Sequence, residues 1–180
     1  MARKPREEFS GAVHHVFARG NRKQKIFVCD ADRLLYLDLL ANVAARKRWR
    51  CMAYCLMANH VHVLVETPDP NLGAGMQRLH GMYGQMFNRA HRHSGHLFQG
   101  RFGSVLIRTD EQLLQAARYI AHNPVEAGLC DGPGDWAWSS HAATLSDTCS
   151  PWLDVPRLLE CFGVSGGDPL RRYADFVELR

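Results

Sequence analysis

The chain lacks any long hydrophobic stretch. No segment approaches the roughly 18 consecutive apolar residues that a membrane-spanning helix needs. The N-terminal sequence MARKPREEFSG also lacks the apolar region of a secretory signal peptide. We therefore expect a cytoplasmic protein with no membrane partner. At 180 residues the chain is long enough for a globular domain that buries its own core without disulfide or metal staples.

A disulfide or zinc framework is missing as well. The six cysteines stand at unrelated spacings, which is typical of a protein with reduced thiols. Cys51 and Cys55 could form half of a zinc site, but their apolar surroundings predict a strand, along which four residues span about 13 Å. Both cysteines are therefore predicted to be core residues.

Acidic residues do not balance the basic ones, and the net charge is +4. The excess is modest, but basic residues cluster at positions 2–6, 19–25, 45–50 and 88–93. A solvated surface explains any one of these clusters. Four of them in a small chain favour a polyanionic partner such as a nucleic acid.

Hydrophobic periodicity predicts the order strand, helix, strand, strand, helix, strand, helix. Strands are predicted at residues 12–19, 51–57, 60–66 and 95–108, and helices at 30–50, 71–93 and 109–123, with a short terminal helix near 168–178. The third helix is predicted to stop before Pro124. This order predicts an α+β fold, a ferredoxin-like or RRM-like antiparallel sheet with helices packed on one face.

The third predicted strand carries two histidines in a run of valines, NHVHVLVETP. Side chains alternate along a strand, so His60, His62 and Glu66 share one face and the valines the other. If the valines face the helices, the two imidazoles face the open side, about 6–7 Å apart at Cβ, and can converge on one cation. Taken alone, an H-x-H pair is better explained by ordinary polar strand positions than by a metal site. His15 on the first strand could join the pair but is not a strong ligand candidate, because the neighbouring His14 points the other way.

The third helix carries a second pair of polar side chains. Tyr119 and Asn123 are spaced i, i+4, away from an apolar stripe that includes Leu113, Ala117 and Ile120. They therefore project together on another face of the helix. A surface tyrosine followed by an asparagine that caps the helix end would produce the same pattern.

Four segments in this order, NHVHVLVETP, HLFQGRF, YIAHNPVEAGL and WAWSSHAA, resemble the REP-associated tyrosine transposases, a branch of the single-tyrosine transposases within the HUH endonucleases. The resemblance runs from about residue 13 to 143. It implies that His60, His62 and Asn123 bind Mg²⁺ or Mn²⁺ and that Tyr119 is the nucleophile. Tyr83 is the alternative nucleophile, but it lies on a core stripe. The implied domains are a catalytic domain at 1–145, with the tyrosine on its third helix, and a C-terminal extension at 146–180 packing on it.

The resemblance further implies an endonuclease and strand transferase that cleaves single-stranded or hairpin REP-type DNA through a 5′-phosphotyrosine, acting as a monomer or homodimer. Phe98 and Phe102 are possible base-stacking platforms, although core packing is the better explanation for at least one of them. Two alternatives stay open: a hydrolytic metal-dependent nuclease, and a catalytically silent nucleic-acid-binding module. The candidate contacts to the DNA backbone are basic residues: Arg19, Arg22, Lys23, Arg89, Arg92, Arg101 and Arg108.

Overall fold

The structure, a computed structural model, describes residues 7–146, 150–165 and 167–179. Its strands and α-helices are β1 (Ala12–Arg19), α1 (Asp30–Lys47), β2 (Arg50–Met57), β3 (His60–Thr67), α2 (Leu72–His91), β4 (Gly103–Ile107), α3 (Asp110–Glu126), α4 (Ser140–Leu145), α5 (Val155–Leu159) and α6 (Pro169–Glu178). The strands form one antiparallel sheet in the order β2-β3-β1-β4, which is the ferredoxin-like order, so the predicted fold class is confirmed. Within the described residues, no helix is both long and apolar enough to cross a membrane.

The two faces of the sheet are covered by different helices. Val61, Val63 and Val65 of β3 pack into one core cluster with the apolar side chains of α1 and α2, as the valine alternation predicts. Leu64 of the same strand belongs to a second cluster, together with Leu113 and other α3 side chains. The histidine face is therefore not wholly open, because α3 lies across part of it.

The fourth strand is shorter than predicted. Only Gly103–Ile107 forms β4, and the prediction for residues 95–102 is wrong. That segment is held as a loop against the end of β1: the Asn21 amide donates to the carbonyl of Leu97 (2.8 Å), and the Gln99 amide donates to that of Arg19 (2.9 Å). Its hydrophobic side chains therefore cover the end of the sheet without extending the strand.

The third helix is longer than predicted, because it continues through Pro124 to Glu126. Gly128, with φ of 67°, closes the helix: its amide donates to Val125, and the following Leu129 amide donates to Pro124, each at 2.9 Å. This is the left-handed closure that glycine favours. As a result Asn123 lies inside the helix, 8% exposed, one turn after Tyr119, and does not cap the helix end.

The C-terminal segment packs on the outer strand of the sheet. Arg50 of β2 forms an ion pair with Asp154 (2.7 Å), and Arg157 of α5 forms one with Glu66 of β3 (2.7 Å). The predicted terminal helix is confirmed as α6. The predicted domain boundary between residues 145 and 146 stays a prediction.

Candidate active site

His60 stands at the first position of β3, where the sheet meets α3. Its Nε2 lies 2.9 Å from Oδ1 of Asn123, and its Nδ1 lies 2.7 Å from Oδ1 of Asn59. An amide can turn either its oxygen or its NH₂ toward a ring, so one neutral imidazole tautomer can satisfy both contacts. The structure thus brings together two of the three predicted metal ligands, which are 63 positions apart in sequence.

His62 lies beside His60, with the ring centroids 5.1 Å apart. Its Nδ1 is 2.9 Å from Nε2 of His15, so the first strand does add a histidine to the pair. Burial, together with repulsion from His15, His60 and Arg19, lowers the pKa of His62 to about 3. Burial alone lowers the pKa of His15 to about 4.

The same environment keeps His60 uncharged near neutral pH. Burial lowers its pKa and the charge of Arg19 adds to that effect, although the contact with Asn123 opposes both. Neutral imidazole is the form that binds a metal ion. Two neutral imidazoles and one carboxamide oxygen are a donor set that suits Mn²⁺ and can accept Mg²⁺ when water or phosphate oxygens complete the coordination.

Glu66 shares the strand face of the histidines but not their cluster. Its carboxylate lies 2.7 Å from Nε of Arg157 and 3.6 Å from a guanidinium nitrogen of Arg50. The carboxylate is therefore paired with arginines at the far end of β3.

Tyr119 is the tyrosine at this cluster. Its ring stands edge-on to those of His62 and His15, at centroid distances of 5.5 and 5.7 Å, and the side chain is 45% exposed. Tyr83, the alternative, is fully buried and donates its hydroxyl to the carbonyl of Ile26. Burial raises the pKa of Tyr83 far above its ordinary value, so this residue has the environment of a core side chain.

The seven predicted DNA contacts are all exposed but do not lie together. Arg19 is the Cα partner of His60 across the β1–β3 pair, and Arg22 and Lys23 follow in the turn after β1. Arg101 lies on a groove with Asn21 of the same turn. The remaining three lie on other elements: Arg89 in the last turn of α2, Arg92 directly after that helix, and Arg108 directly after β4, where it pairs with Glu7 (2.6 Å).

A second set of possible metal ligands, not predicted from the sequence, lies between α1 and α2. Cys29, Asp32 and His91 each offer a ligand atom within 4.8 Å of the others. The Asp32 carboxylate, however, accepts the amides of Val28 (2.7 Å) and Cys29 (3.1 Å) and contacts Nε2 of His91 (2.8 Å). These contacts cap the start of α1 and join it to α2, which is a sufficient structural role.

The two candidate stacking residues differ in burial. Phe102 is 5% exposed and packs in the core, whereas Phe98 is half-buried, stacks on His80 at a centroid distance of 4.1 Å and lines the groove that holds Arg101. Phe17, which was not predicted to have a functional role, is 40% exposed beside His15 and His62. Its position two residues after His15, on the same strand face, was the available signal.

Comparison with known proteins places this geometry in a family. The family model described as "Transposase IS200 like" matches residues 8–123, more than half of the chain. The chain belongs to the IS200-like transposase family. The family match covers β1 to Asn123 and so includes the histidine pair, Tyr119 and Asn123.

Individual relatives agree with this family. A putative REP-associated tyrosine transposase from Haemophilus influenzae is 32% identical over an alignment of 101 residues. The match covers 49% of this chain and 57% of the relative, so the chain spans little more than half of that relative's length. A solved REP-associated tyrosine transposase bound to a REP hairpin aligns with a TM-score of 0.69 at 17% identity, covering 84% of this chain and 90% of the other. The resemblance to this group is confirmed, and the second match supports the fold.

Proposed function

We propose that this IS200-like family member is a metal-dependent endonuclease and strand transferase acting on single-stranded or hairpin DNA of the REP type. The observation that carries the proposal is that α3 places two side chains against the histidines of β3. Asn123 contacts His60, while Tyr119, one turn earlier, stands against His62. A nucleophile and a ligand set on neighbouring surfaces are what a tyrosine-based phosphodiester cleavage requires.

His60, His62 and Asn123 would hold the Mg²⁺ or Mn²⁺ ion. The ion supplies neutralisation of the scissile phosphate's charge and polarisation of its oxygens. The lowered pKa values of the histidines keep both rings available as ligands near neutral pH. Their contacts with Asn59, Asn123 and His15 fix the ring orientations before substrate arrives.

Tyr119 provides the nucleophilic oxygen. A phenol is a weak nucleophile until it loses its proton, and the exposed side chain allows that proton to pass to water as the oxygen attacks. The new bond joins the Tyr119 oxygen to phosphorus, while the bond from phosphorus to the 3′ oxygen breaks. The products are a 5′-phosphotyrosine and a free 3′-hydroxyl, which takes up a proton.

The same residues can run the reaction in reverse with another strand. A second 3′-hydroxyl attacks the phosphotyrosine, restores a phosphodiester bond and releases Tyr119. Because the phosphotyrosine preserves the energy of the broken bond, strand joining requires no ATP. Cleavage followed by such a joining step is strand transfer.

The substrate is proposed to be unpaired at the cleavage point. His15, His62 and Tyr119 line a surface depression between α3 and the β1–β4 edge, where a single strand can be laid across the sheet. Arg19, Arg22, Lys23 and Arg101 are exposed around this end of the sheet and can contact phosphates. Arg89 and Arg92, at the end of α2, would contact a more distant part of a hairpin, whereas Arg108 is spatially removed from the cluster. Whether the protein acts as a monomer or a homodimer stays a prediction.

A labelled hairpin oligonucleotide incubated with the protein and Mn²⁺, then separated on a denaturing gel, tests the nucleophile. We expect a covalent adduct that is absent in Tyr119→Phe and present in Tyr83→Phe. An adduct that survives Tyr119→Phe would overturn the assignment. Cleavage without any adduct would identify a hydrolytic nuclease instead, and binding without cleavage a silent binding module.

Direct Mn²⁺ binding tests the ligand set separately from activity. We expect His62→Ala to remove the tight site measured by calorimetry, and to slow cleavage by more than the roughly 100-fold that loss of an outer-shell partner can cost. Cys29→Ser is the matched control, since it alters the other set of possible ligands. Loss of Mn²⁺ binding in Cys29→Ser but not in His62→Ala would place the ion between α1 and α2.

A further inference from the structure

Phe17 presents an aromatic ring to solvent directly beside the proposed catalytic residues. It is the Cα partner of His62 in the β1–β3 pair, and its ring centroid lies 6.2 Å from that of His62 and 5.9 Å from that of His15. The side chain is 40% exposed. A large apolar group at this position contributes little to the core, which suggests that it meets a ligand.

The backbone under Phe17 is adapted to its ring. Gly103, its Cα partner on β4, has no side chain, and a Cβ there would lie 2.3 Å from the Cε2 and Cζ atoms of Phe17. The far edge of the ring therefore rests over the Gly103 backbone. A glycine at this point leaves one side of the ring supported by the sheet and the other side open.

The ring belongs to a depression of about 760 Å³ between α3 and the β1–β4 edge. Val105, 52% exposed, and Tyr119 also line it, so apolar surface extends from the nucleophile to the edge strand. Its volume lies within the range of small-molecule sites, about 300–1,000 Å³. A flat apolar group can therefore be held between the tyrosine and the edge of the sheet.

The charge around the depression indicates what that group is attached to. Arg19 follows Phe17 by two residues on the same strand face and is exposed. A cationic side chain next to an open aromatic ring matches the alternation of phosphate and base along a single strand. A nucleotide can place its phosphate near Arg19 and the metal ligands while its base lies on Phe17.

One polar side chain is placed to contact the edge of such a base. Gln115 lines the depression from the turn before Tyr119 and is exposed. Gln112 lines it too, but its Oε1 accepts the Arg108 amide (2.8 Å) and so caps α3. A glutamine amide both donates and accepts, which allows it to distinguish one base edge from another.

We propose that an unpaired base adjoining the scissile phosphate stacks on Phe17, and that Gln115 recognises its edge. The proposal rests on the proposed function, because it assigns a position within the DNA substrate to this surface. It makes Phe17 a positioning residue for cleavage and Gln115 a determinant of the base preferred beside the cleavage point.

Fluorescence of 2-aminopurine, which is quenched by stacking, tests the platform without requiring cleavage. Hairpin oligonucleotides with the probe at each unpaired position are bound to full-length Tyr119→Phe protein. We expect quenching at a position adjoining the cleavage point, and its loss on adding Phe17→Leu, with affinity reduced about 5- to 150-fold, as expected for one base stack. Phe17→Trp should keep the quenching.

Phe9→Leu is the matched control, because Phe9 is 48% exposed but lies before the opposite end of β1, on a different depression. It should change neither quenching nor affinity. Quenching that persists unchanged in Phe17→Leu, or that is lost equally in Phe9→Leu, would overturn the proposal. Adduct formation by the wild-type protein is measured in parallel. If the wild-type protein forms an adduct but quenching persists in Phe17→Leu, only the stacking role of Phe17 is refuted. If quenching is lost in Phe17→Leu but the wild-type protein forms no adduct, only the proposed function is refuted.

Two further variants separate stacking from edge recognition. Gly103→Ala should displace the ring and reproduce the effect of Phe17→Ala, and the double variant should bind no more weakly than Phe17→Ala alone. Gln115→Ala should keep the quenching but remove the preference between adenine and guanine at the stacked position. A preference that persists in Gln115→Ala would overturn the role of Gln115.

Discussion

The two faces of the sheet carry the same kinds of side chain but are covered to different extents. We call the face under α1 and α2 the closed face, and the histidine face, which α3 covers in part, the open face. Under α1 and α2, the rings of Phe27, Tyr36 and Tyr83 contact one another at centroid distances of 5.1 to 5.6 Å and are almost fully buried. On the face that α3 covers in part, Phe17 and Tyr119 both lie next to His15 and His62, but each is exposed by 40% or more. Cover by helices, and not residue type, determines which aromatic side chains are buried and which are exposed in this fold.

Two glycines provide the sharpest test of that difference. A Cβ at Gly75 would lie 2.2 Å from the Trp49 ring, and one at Gly103 would lie 2.3 Å from the Phe17 ring. Trp49 is 5% exposed and donates to Asn71 (2.6 Å), so it cannot yield, whereas Phe17 can turn into solvent. We expect Gly75→Ala to lower the free energy of unfolding by about 1–3 kcal/mol, the usual cost of overpacking, and Gly103→Ala by well under about 1 kcal/mol.

Urea unfolding measures both changes, and Gly81→Ala is the control for helix propensity. Gly81 lies in the same helix as Gly75 with nothing within 4 Å of its would-be Cβ, so alanine there should stabilise by up to about 1 kcal/mol. Equal losses in Gly75→Ala and Gly103→Ala would mean that the β1–β4 edge is as closed as the α1–α2 core.

A half-buried histidine of α2, His80, should make stability depend on pH. His80 stacks on Phe98 and contacts the hydroxyl of Tyr36 (3.2 Å), and burial lowers its pKa from 6.5 to about 4. Below pH 6.5 the His80 imidazole binds a proton in the unfolded chain but stays neutral in the folded chain. Stability is therefore lost as the pH falls from about 6.5 toward 4. We expect this residue to contribute about 1–2 kcal/mol of that loss between pH 7 and 5.

His80→Gln is the variant that isolates this contribution, because an amide can still bond to the Tyr36 hydroxyl but cannot be protonated. Thermal unfolding from pH 7 to 4 should show a shallower decline than in the wild-type protein, even if the variant starts less stable. His15 and His62 on the open face retain their own lowered pKa values, so some decline should remain. A slope identical to that of the wild type would show that folding does not lower the pKa of His80.

The contrast between the faces also explains what the sequence could predict. Alternation along β3 was enough to separate valines from histidines, and the i, i+4 spacing was enough to pair Tyr119 with Asn123, because both follow from local geometry. The loop at residues 95–102 was not predictable, since its conformation depends on backbone bonds to the end of β1. Phe17 was overlooked because its exposure depends on how far α3 extends across the sheet.

Glu66 gives the smallest expected effect and marks where the open face ends. It shares the strand face of His60 and His62, yet Arg157 and Arg50 hold its carboxylate. Glu66→Gln should cost under about 1 kcal/mol, because Arg157 keeps Glu160 (3.2 Å) and Arg50 keeps Asp154 (2.7 Å) as partners. Since the removed charge is already neutralised, Mn²⁺ affinity by calorimetry should be unchanged, with His62→Ala as the comparison. A several-fold loss of Mn²⁺ affinity in Glu66→Gln would instead show that the Glu66 carboxylate acts on the bound ion from the far end of β3, despite its arginine partners.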